Sequence, residues 1–157
     1  MPSLRTLAFQ AWFRLSRPMT LGVRAAVENA EGQVFMVRHT YIGGWFMPGG
    51  GVERGEPAME ALRRELVEEG GIRLLRDPEI FGFYSNHHSF RNDHVVLYRV
   101  PWGSWEPVRA TSAGEIAETA WIDPRQPMDG VTRGTRLRFE ELYQGAPVSP
   151  FWTHRPA

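Results

Sequence analysis

Residues 50–72 read GGVERGEPAMEALRRELVEEGGI, and this stretch decides both the fold and the chemistry of the chain. The stretch begins in a glycine-rich loop, continues with apolar residues at helical spacing and closes with Gly70-Gly71 before Ile72. Because Pro57 suits the first turn of a helix and glycine suits the position beyond its end, we predict a helix over residues 57–69. The junction of loop and helix is where a functional site is expected.

Three glutamates crowd together beside the apolar stripe of this helix. Glu65, Glu68 and Glu69 are spaced i, i+3, i+4, which places them on one helical face. On a helical wheel, Glu69 falls inside the apolar arc formed by Leu62 and Leu66. Unpaired burial of adjacent anions is costly, and negative charge is unfavourable at a helix C-terminus. A divalent cation bound by oxygen ligands would offset both costs, and the alternative is a solvated acidic face paired with arginines.

The stretch resembles the Nudix box, whose pattern is G, five residues, E, seven residues, REU, one residue, EE, one residue, GU, with U aliphatic. Each fixed position has its match, in order Gly50, Glu56, Arg64, Glu65, Leu66, Glu68, Glu69, Gly71 and Ile72. The resemblance implies an α/β fold, namely a Nudix-like α/β/α sandwich with a central mixed β-sheet. It also implies hydrolysis of a nucleoside diphosphate linked to another moiety, with Mg²⁺ or Mn²⁺ as the cofactor.

The resemblance also implies a role for each matched polar position. The three glutamates of the acidic face are implied as metal ligands, and one of them also as the group that orients or deprotonates water. Gly50 is implied to give the metal a backbone carbonyl or a close approach. Arg64 and Glu56 are implied as supporting residues that hold the carboxylates in place. Such metal ions neutralise pyrophosphate charge and acidify the attacking water.

Candidate residues for the reaction also lie outside the box. Some members of the family use a further acidic residue as a base or a metal ligand. Glu115 lies in the segment before Trp121 and is our candidate for that role, with Glu118 as the second choice. The alternative is that both are ordinary glutamates of a surface loop.

Candidate substrate-binding residues come from the first strand and from the glycine-rich loop. Arg24 could reach phosphate, and His39 precedes the loop and could do the same. Trp45 could stack on a base, because every base has an apolar face. Gly49 permits a close backbone approach to a ligand. Packing in the interior is the alternative for His39 and Trp45.

The remaining elements follow from periodicity and turn residues. We predict a helix over 3–16, strands over 20–28 and 33–38 joined by a hairpin turn at 29–32, a loop over 40–56, strands over 79–85 and 94–100, a loop over 102–114, a strand over 118–122 and a helix over 133–144. Since no repeat or linker divides the chain, we expect a single Nudix hydrolase domain over residues 1–157.

Residues 1–18 are predicted as an N-terminal amphipathic helix and its end. Its apolar side is formed by Leu4, Leu7, Ala8, Ala11, Trp12 and Leu15. We favour packing on the same domain, or on a twin subunit in a homodimer. Contact with an anionic membrane through residues 3–17 is the less favoured alternative, because the polar face carries few cations.

Composition narrows the functional classes. The chain has 157 residues and a formal net charge of +0, with 18 basic residues that are all arginine, so nothing indicates nucleic-acid binding through an overall basic field. Cysteine is absent, which excludes thiolate metal sites and disulfides and fits a cytoplasmic location. No apolar run is long enough for a transmembrane helix.

The expected substrate is a small nucleotide diphosphate compound, such as a nucleoside triphosphate or a nucleotide sugar. The markers of known Nudix subclasses are missing downstream of the box, so the sequence leaves the substrate open. Two alternatives remain beside hydrolysis of a nucleotide. One is a non-catalytic nucleotide-binding sensor on the same fold, and the other is a hydrolase of a lipid-linked diphosphate, suggested by the N-terminal helix.

Overall fold

The computed structural model describes residues 3–112 and 114–154. The elements of these ranges are, in chain order, α1 (Leu4–Ser16), β1 (Thr20–Val27), β2 (Val34–His39), β3 (Gly49–Gly51), α2 (Ala58–Gly70), β4 (Ile72–Leu74), β5 (Glu79–Ser85), β6 (Asp93–Val100), β7 (Trp105–Pro107), β8 (Ile116–Ile122) and α3 (Arg133–Tyr143). None of the helices in the described ranges is long and apolar enough to cross a bilayer.

The central sheet has four strands in the order β3-β1-β6-β5. β1 runs parallel to β6 and antiparallel to β3, while β5 is antiparallel to β6, so the sheet is mixed. Two smaller pairs accompany it, β2 with β8 and β4 with β7, both antiparallel.

Alternate residues of β1 enter different cores, because successive side chains of a strand point to opposite faces. Val23 and Val27 pack in one core with Leu66 of α2, and Ala26 packs in the other core with Phe139 of α3. The two helices therefore cover opposite faces of the strand layer. The predicted α/β/α sandwich with a mixed central sheet is confirmed.

The predicted β-hairpin of the first two strands is wrong, because these strands meet only next to the turn. Glu28 and Val34 form an isolated antiparallel bridge, after which the strands separate. β1 is hydrogen-bonded to β3 on one side and to β6 on the other, so neither of its edges is free to pair with β2. β2 pairs with β8 instead, and a local turn signal cannot report that choice.

Short strands occur where the sequence predicted only loops. β3 lies inside the expected loop at 40–56, with Gly50 opposite Val23, and β7 lies inside the expected loop at 102–114. β4 follows α2 after Gly71 and is likewise not predicted from the sequence. A strand of three residues contains too few positions to display a two-residue period, so only its pairing partner defines it.

The N-terminal helix contacts neither core, and none of its residues is buried. Leu4 is 86% exposed, Trp12 is 67% exposed and Leu15 is 82% exposed. The expectation that this helix packs on its own domain is therefore wrong. Contact with a second copy and contact with a membrane both stay predictions.

Candidate active site

Arg64 connects two of the glutamates in the 50–72 stretch. Its Nε and Nη2 donate to the two carboxylate oxygens of Glu56 at 2.9 and 3.0 Å, and its Nη1 donates to Glu65 Oε1 at 2.8 Å. Nη2 also donates to the Gly51 carbonyl at 3.1 Å. The hydrogen bond to Glu56 is the main cause that raises the pKa of Arg64, and the same bond lowers the pKa of Glu56. Arg64 thereby fixes the carboxylates relative to the glycine loop.

Glu69 is the most buried of the three glutamates, as its place in the apolar arc predicts. Its side chain is 6% exposed, against 14% for Glu65 and 39% for Glu68. Glu69 Oε2 accepts a hydrogen bond from the Gly49 N–H at 2.8 Å, and its Oε1 lies 3.6 Å from His39 Nε2. Burial raises the pKa of Glu69 to about 7, against the opposing effects of the Gly49 N–H and of Arg24.

The glycine loop brings backbone and carboxylates into contact that no larger residue allows. Gly49 has a φ of 143°, and a Cβ added there would lie 2.0 Å from the Val23 carbonyl oxygen. A Cβ added at Gly50 would lie 2.3 Å from Glu65 Oε1. The space that a side chain of residue 50 would need is therefore filled by the Glu65 carboxylate.

Arg24 holds the other side of the same loop. Its Nη1 donates to the Met47 carbonyl at 2.8 Å and to the Gly49 carbonyl at 3.0 Å. Burial lowers the pKa of Arg24, and the negative charges of Glu69 and Glu65 act in the opposite direction. The guanidinium is thus a positioning group for the loop as well as a partly buried positive charge near the acidic face.

A cleft of about 790 Å³ opens above these groups. It is lined by seven of the residues predicted from sequence, namely Arg24, His39, Gly49, Gly50, Glu65, Glu69 and Glu115. The glycine loop lies at the β3 edge of the sheet, and Asn86 follows β5 at the other edge. Three interstrand steps of about 4.8 Å separate these edges, so the cleft extends across the sheet.

The other predicted residues lie outside the lining of the cleft. Glu56 and Arg64 lie behind the glycine loop in the network described above. Glu68 is on the exposed side of the acidic face, with an oxygen 3.5 Å from Arg64 Nη1. Trp45 is half-buried beside the core that contains Phe139, and Arg38 lies 5.9 Å from its ring centre. Its ring therefore contributes to packing in this arrangement.

The donor set of the acidic face suits a hard cation, although the ligands are not gathered around one point. Among the described residues, no three His, Asp or Glu side chains lie close enough together to hold a metal ion. Glu65 is turned to Arg64 and Glu69 to the Gly49 N–H. Carboxylate and carbonyl oxygens are the ligands that Mg²⁺ and Mn²⁺ prefer. The residues fit such an ion chemically, and binding would require the carboxylates to turn towards it.

Several residues of the cleft were not predicted from sequence. They are Thr20, Asn86, Asp93, Arg133, Trp152 and Thr153. Asn86 Nδ2 donates to Asp93 Oδ2 at 2.8 Å, which leaves Asn86 Oδ1 buried without a hydrogen-bond partner. The polar run at 85–93 was a weak signal for this pair. Trp152 and Thr153 follow the last helix, where no periodicity indicates a role.

A buried ion pair fixes the C-terminal segment that forms this wall of the cleft. Arg138 and Glu141 are both fully buried, and Arg138 donates to both carboxylate oxygens at 2.8 and 2.7 Å. Its Nη1 also donates to the carbonyls of Phe151 and Trp152 at 3.1 and 3.0 Å. The segment from Ser149 onwards is thereby bound to α3.

Comparison with known proteins agrees with this geometry. A model of the NUDIX domain matches residues 18–141. A putative 8-oxo-dGTP diphosphatase of Bacillus subtilis is 30% identical over 106 residues, which cover 67% of each chain. An RNA pyrophosphohydrolase of Bartonella bacilliformis is 43% identical over 67 residues, which cover 37% of this chain and 39% of the relative.

Solved structures show the same fold. A MutT NUDIX hydrolase from Burkholderia pseudomallei superposes with a TM-score of 0.65 at 23% identity, covering 78% of this chain and 97% of that one. The family model spans most of the chain, including the glycine loop, the acidic helix and most of α3. The chain therefore belongs to the NUDIX domain family and is a Nudix-type hydrolase.

Proposed function

We propose that this chain cleaves the pyrophosphate bond of a nucleoside diphosphate linked to another moiety, with the help of a divalent metal ion. The observation that carries the proposal is Glu69, a buried carboxylate bound to the Gly49 N–H beside Glu65 in a large cleft. A nearby cation stabilises the ionised form of a carboxylate in that position, and a polyphosphate substrate needs the same cation. A small nucleotide fits this combination best.

Mg²⁺ or Mn²⁺ is the proposed cofactor. Glu65, Glu68 and Glu69 would hold it together with the backbone carbonyl of Gly50, since all four positions offer oxygen donors. When bound, such an ion neutralises phosphate charge and lowers the pKa of water.

The residues around the acidic face have separate tasks in this proposal. Arg64 keeps Glu65 in place, and Arg24 keeps the glycine loop in place. Glu115 is the proposed base, because it lines the cleft and is exposed to water there. It would accept a proton from the attacking water, whose oxygen bonds to phosphorus while the bond from phosphorus to the bridging oxygen breaks. The leaving group departs with that electron pair.

The other end of the cleft offers a place for the nucleoside. Asn86, whose Nδ2 donates to Asp93, lines this end of the cleft and is a polar group near which the edge of a base would lie. Phe90 and Trp152 line the same region and have apolar ring faces for a base or ribose. A nucleotide lying across the sheet would then bring its phosphates to the glycine loop.

The names of the relatives support a triphosphate substrate. One is named for a diphosphatase of an oxidised nucleoside triphosphate and the other for a pyrophosphohydrolase of RNA. The neutral net charge does not favour a long nucleic acid, whose binding depends on phosphate contacts to cations. We therefore propose a free nucleotide in preference to RNA. The absence of cysteine also fits a cytoplasmic location for the enzyme.

A sensor that binds nucleotides without cleaving them is the competing function. It would not need a complete set of carboxylates and the Arg64 network that holds them. Hydrolysis of a lipid-linked diphosphate is a further alternative, motivated by the exposed apolar helix α1.

The test is the release of phosphate and pyrophosphate from a panel of substrates with Mg²⁺ and with Mn²⁺. The panel contains nucleoside triphosphates, oxidised triphosphates, nucleotide sugars, ADP-ribose, dinucleotide polyphosphates and an RNA with a 5′-triphosphate. Glu69→Gln serves as the matched control, since it keeps the shape and an oxygen acceptor for Gly49. Metal-dependent release that the control lacks supports the proposal. Absence of release from every compound would favour the sensor or the lipid substrate.

A further inference from the structure

The N-terminal helix presents a continuous apolar surface that nothing in the described chain covers. Leu4, Leu7, Trp12 and Leu15 are 86, 48, 67 and 82% exposed. Exposure of four large apolar side chains on one short helix costs free energy in water, about 25 cal/mol for each Å² of apolar surface left in contact with water. A contiguous surface of this kind marks an interaction site.

Arginines border this apolar surface on both sides. At about 100° per residue, the arc from Leu7 to Trp12 is about 140° wide and also contains Leu4 and Leu15. Arg14 lies about 20° beyond Leu7, and Arg5 lies the same angle beyond Trp12. Long arginine side chains at the borders of an apolar face can extend to charged headgroups while their stems contact apolar groups.

The charges beside this surface favour an anionic bilayer over a second copy of α1 as its partner. Residues 3–27 contain Arg5, Arg14 and Arg17 beside the partly buried Arg24, and the first acidic residue of the chain is Glu28. Two copies of α1 packed face to face would bring these cations together without an acidic side chain on the helix to pair them. An anionic bilayer supplies both an apolar layer and the opposite charge.

The surface continues from the end of α1 onto the sheet. A second cleft of about 400 Å³ is lined by Arg17, Pro18 and Met19 after α1 and by Ser85 and His94 of the sheet. Met19 is 64% exposed, and none of these lining residues is acidic. The Arg17 side of this cleft would therefore meet an anionic headgroup without repulsion from a carboxylate in its lining.

We propose that α1 binds in the plane of an anionic lipid bilayer, with Leu4, Trp12 and Leu15 inserted at the boundary of headgroups and acyl chains. Arg5 and Arg14 contact the phosphates at either side. The catalytic domain is thereby held at the membrane through a segment outside its two cores, and the binding does not depend on which nucleotide the domain cleaves.

The experiment is sedimentation of the full chain with vesicles of phosphatidylcholine and phosphatidylglycerol, compared with vesicles of phosphatidylcholine alone. Binding is expected to the anionic vesicles and to weaken as salt is added. One cation near an anionic surface strengthens binding about fivefold, so Arg5→Gln/Arg14→Gln should weaken it about 30-fold. Leu4→Gln/Trp12→Gln should abolish it with both cations retained.

The control variant removes two positive charges from a part of the chain outside α1. Arg76→Gln/Arg109→Gln changes two exposed arginines of the catalytic domain and should leave vesicle binding within about twofold of the unaltered chain, because neither residue belongs to α1 or lines the second cleft. The α1 variants should keep their melting temperature because none of the residues of α1 is buried, and the control pair should keep it because both arginines are exposed.

Three results would overturn the proposal. They are absence of binding to anionic vesicles, equal losses in the α1 pair and the control pair, and a dimer in light scattering that Leu4→Gln/Trp12→Gln converts to a monomer while vesicles bind neither protein. The last result would assign the apolar surface to a second copy of the chain.

Discussion

Replacement of Glu141 by Gln should destabilise the protein strongly, because it breaks the buried ion pair with Arg138. Glu141 accepts four hydrogen bonds, two from Arg138, one from Tyr84 Oη at 3.0 Å and one from the Ser149 N–H at 2.9 Å. Glutamine replaces one acceptor oxygen with an NH₂ donor, which would face donors. It also removes the negative charge opposite a guanidinium that is 0% exposed.

The magnitude follows from the burial of the pair. Removal of one partner from a buried ion pair costs about 3–5 kcal/mol, because the other charge remains uncompensated. Arg73 and Glu106 provide the matched surface pair, with side chains 61% and 40% exposed. Glu106→Gln should cost less than about 1 kcal/mol, because water screens that pair.

Urea unfolding followed by circular dichroism measures both variants against the unaltered chain. We expect a large fall in the unfolding free energy for Glu141→Gln and almost none for Glu106→Gln. Because Arg138 also binds the carbonyls of Phe151 and Trp152, the loosened wall of the cleft should raise KM in any folded Glu141→Gln protein. Equal stability of the two variants would refute this account of how the C-terminal segment is held.

Three further predictions concern the acidic face. Gly50→Ala should lower kcat about a hundredfold while the protein stays folded, because the new Cβ would displace the Glu65 carboxylate, and a normal rate would contradict the close approach. Arg64→Ala should lower both turnover and stability, the latter by about 1–3 kcal/mol, through lost hydrogen bonds to charged groups; an unchanged melting temperature and rate would make Arg64 a bystander. The pKa of Glu69 is raised from 4.5 to about 7, so the metal-free protein loses stability as the pH rises through that range. Glu69→Gln in EDTA should therefore be more stable than the unaltered chain by up to about 3 kcal/mol at about pH 8 and no more stable below about pH 4, as urea titrations at both pH values would report; a difference independent of pH would contradict the assignment.

The acidic helix could be predicted almost completely from sequence, because its information is local. Helical spacing put Glu69 inside an apolar arc, and burial of that carboxylate follows from the spacing alone. The match to a family pattern then indicated the fold that surrounds it. The α2 boundaries moved by only one residue, to Ala58–Gly70.

Long-range features could not be predicted in the same way. The partners of β1 are decided by strands far along the chain, so the turn after Glu28 suggested a hairpin that does not form. The cleft wall at Asn86 and Trp152 requires two distant segments to meet at the bridge from Ser85 to Phe151. Trp45 illustrates the opposite case, since proximity in sequence to the glycine loop did not place its ring among the residues that line the cleft.

The most direct test of the metal-dependent site is a pair of measurements on Glu68→Gln. Glu68 is exposed, and the distance from its oxygen to Arg64 is 3.5 Å, so the substitution should leave the fold intact. Mn²⁺ binding, measured by calorimetry, and turnover of the best nucleotide should both fall steeply, while the melting temperature of the metal-free protein stays the same. A variant that binds Mn²⁺ and turns over substrate as the unaltered chain does would contradict the assignment of this helical face as the metal site.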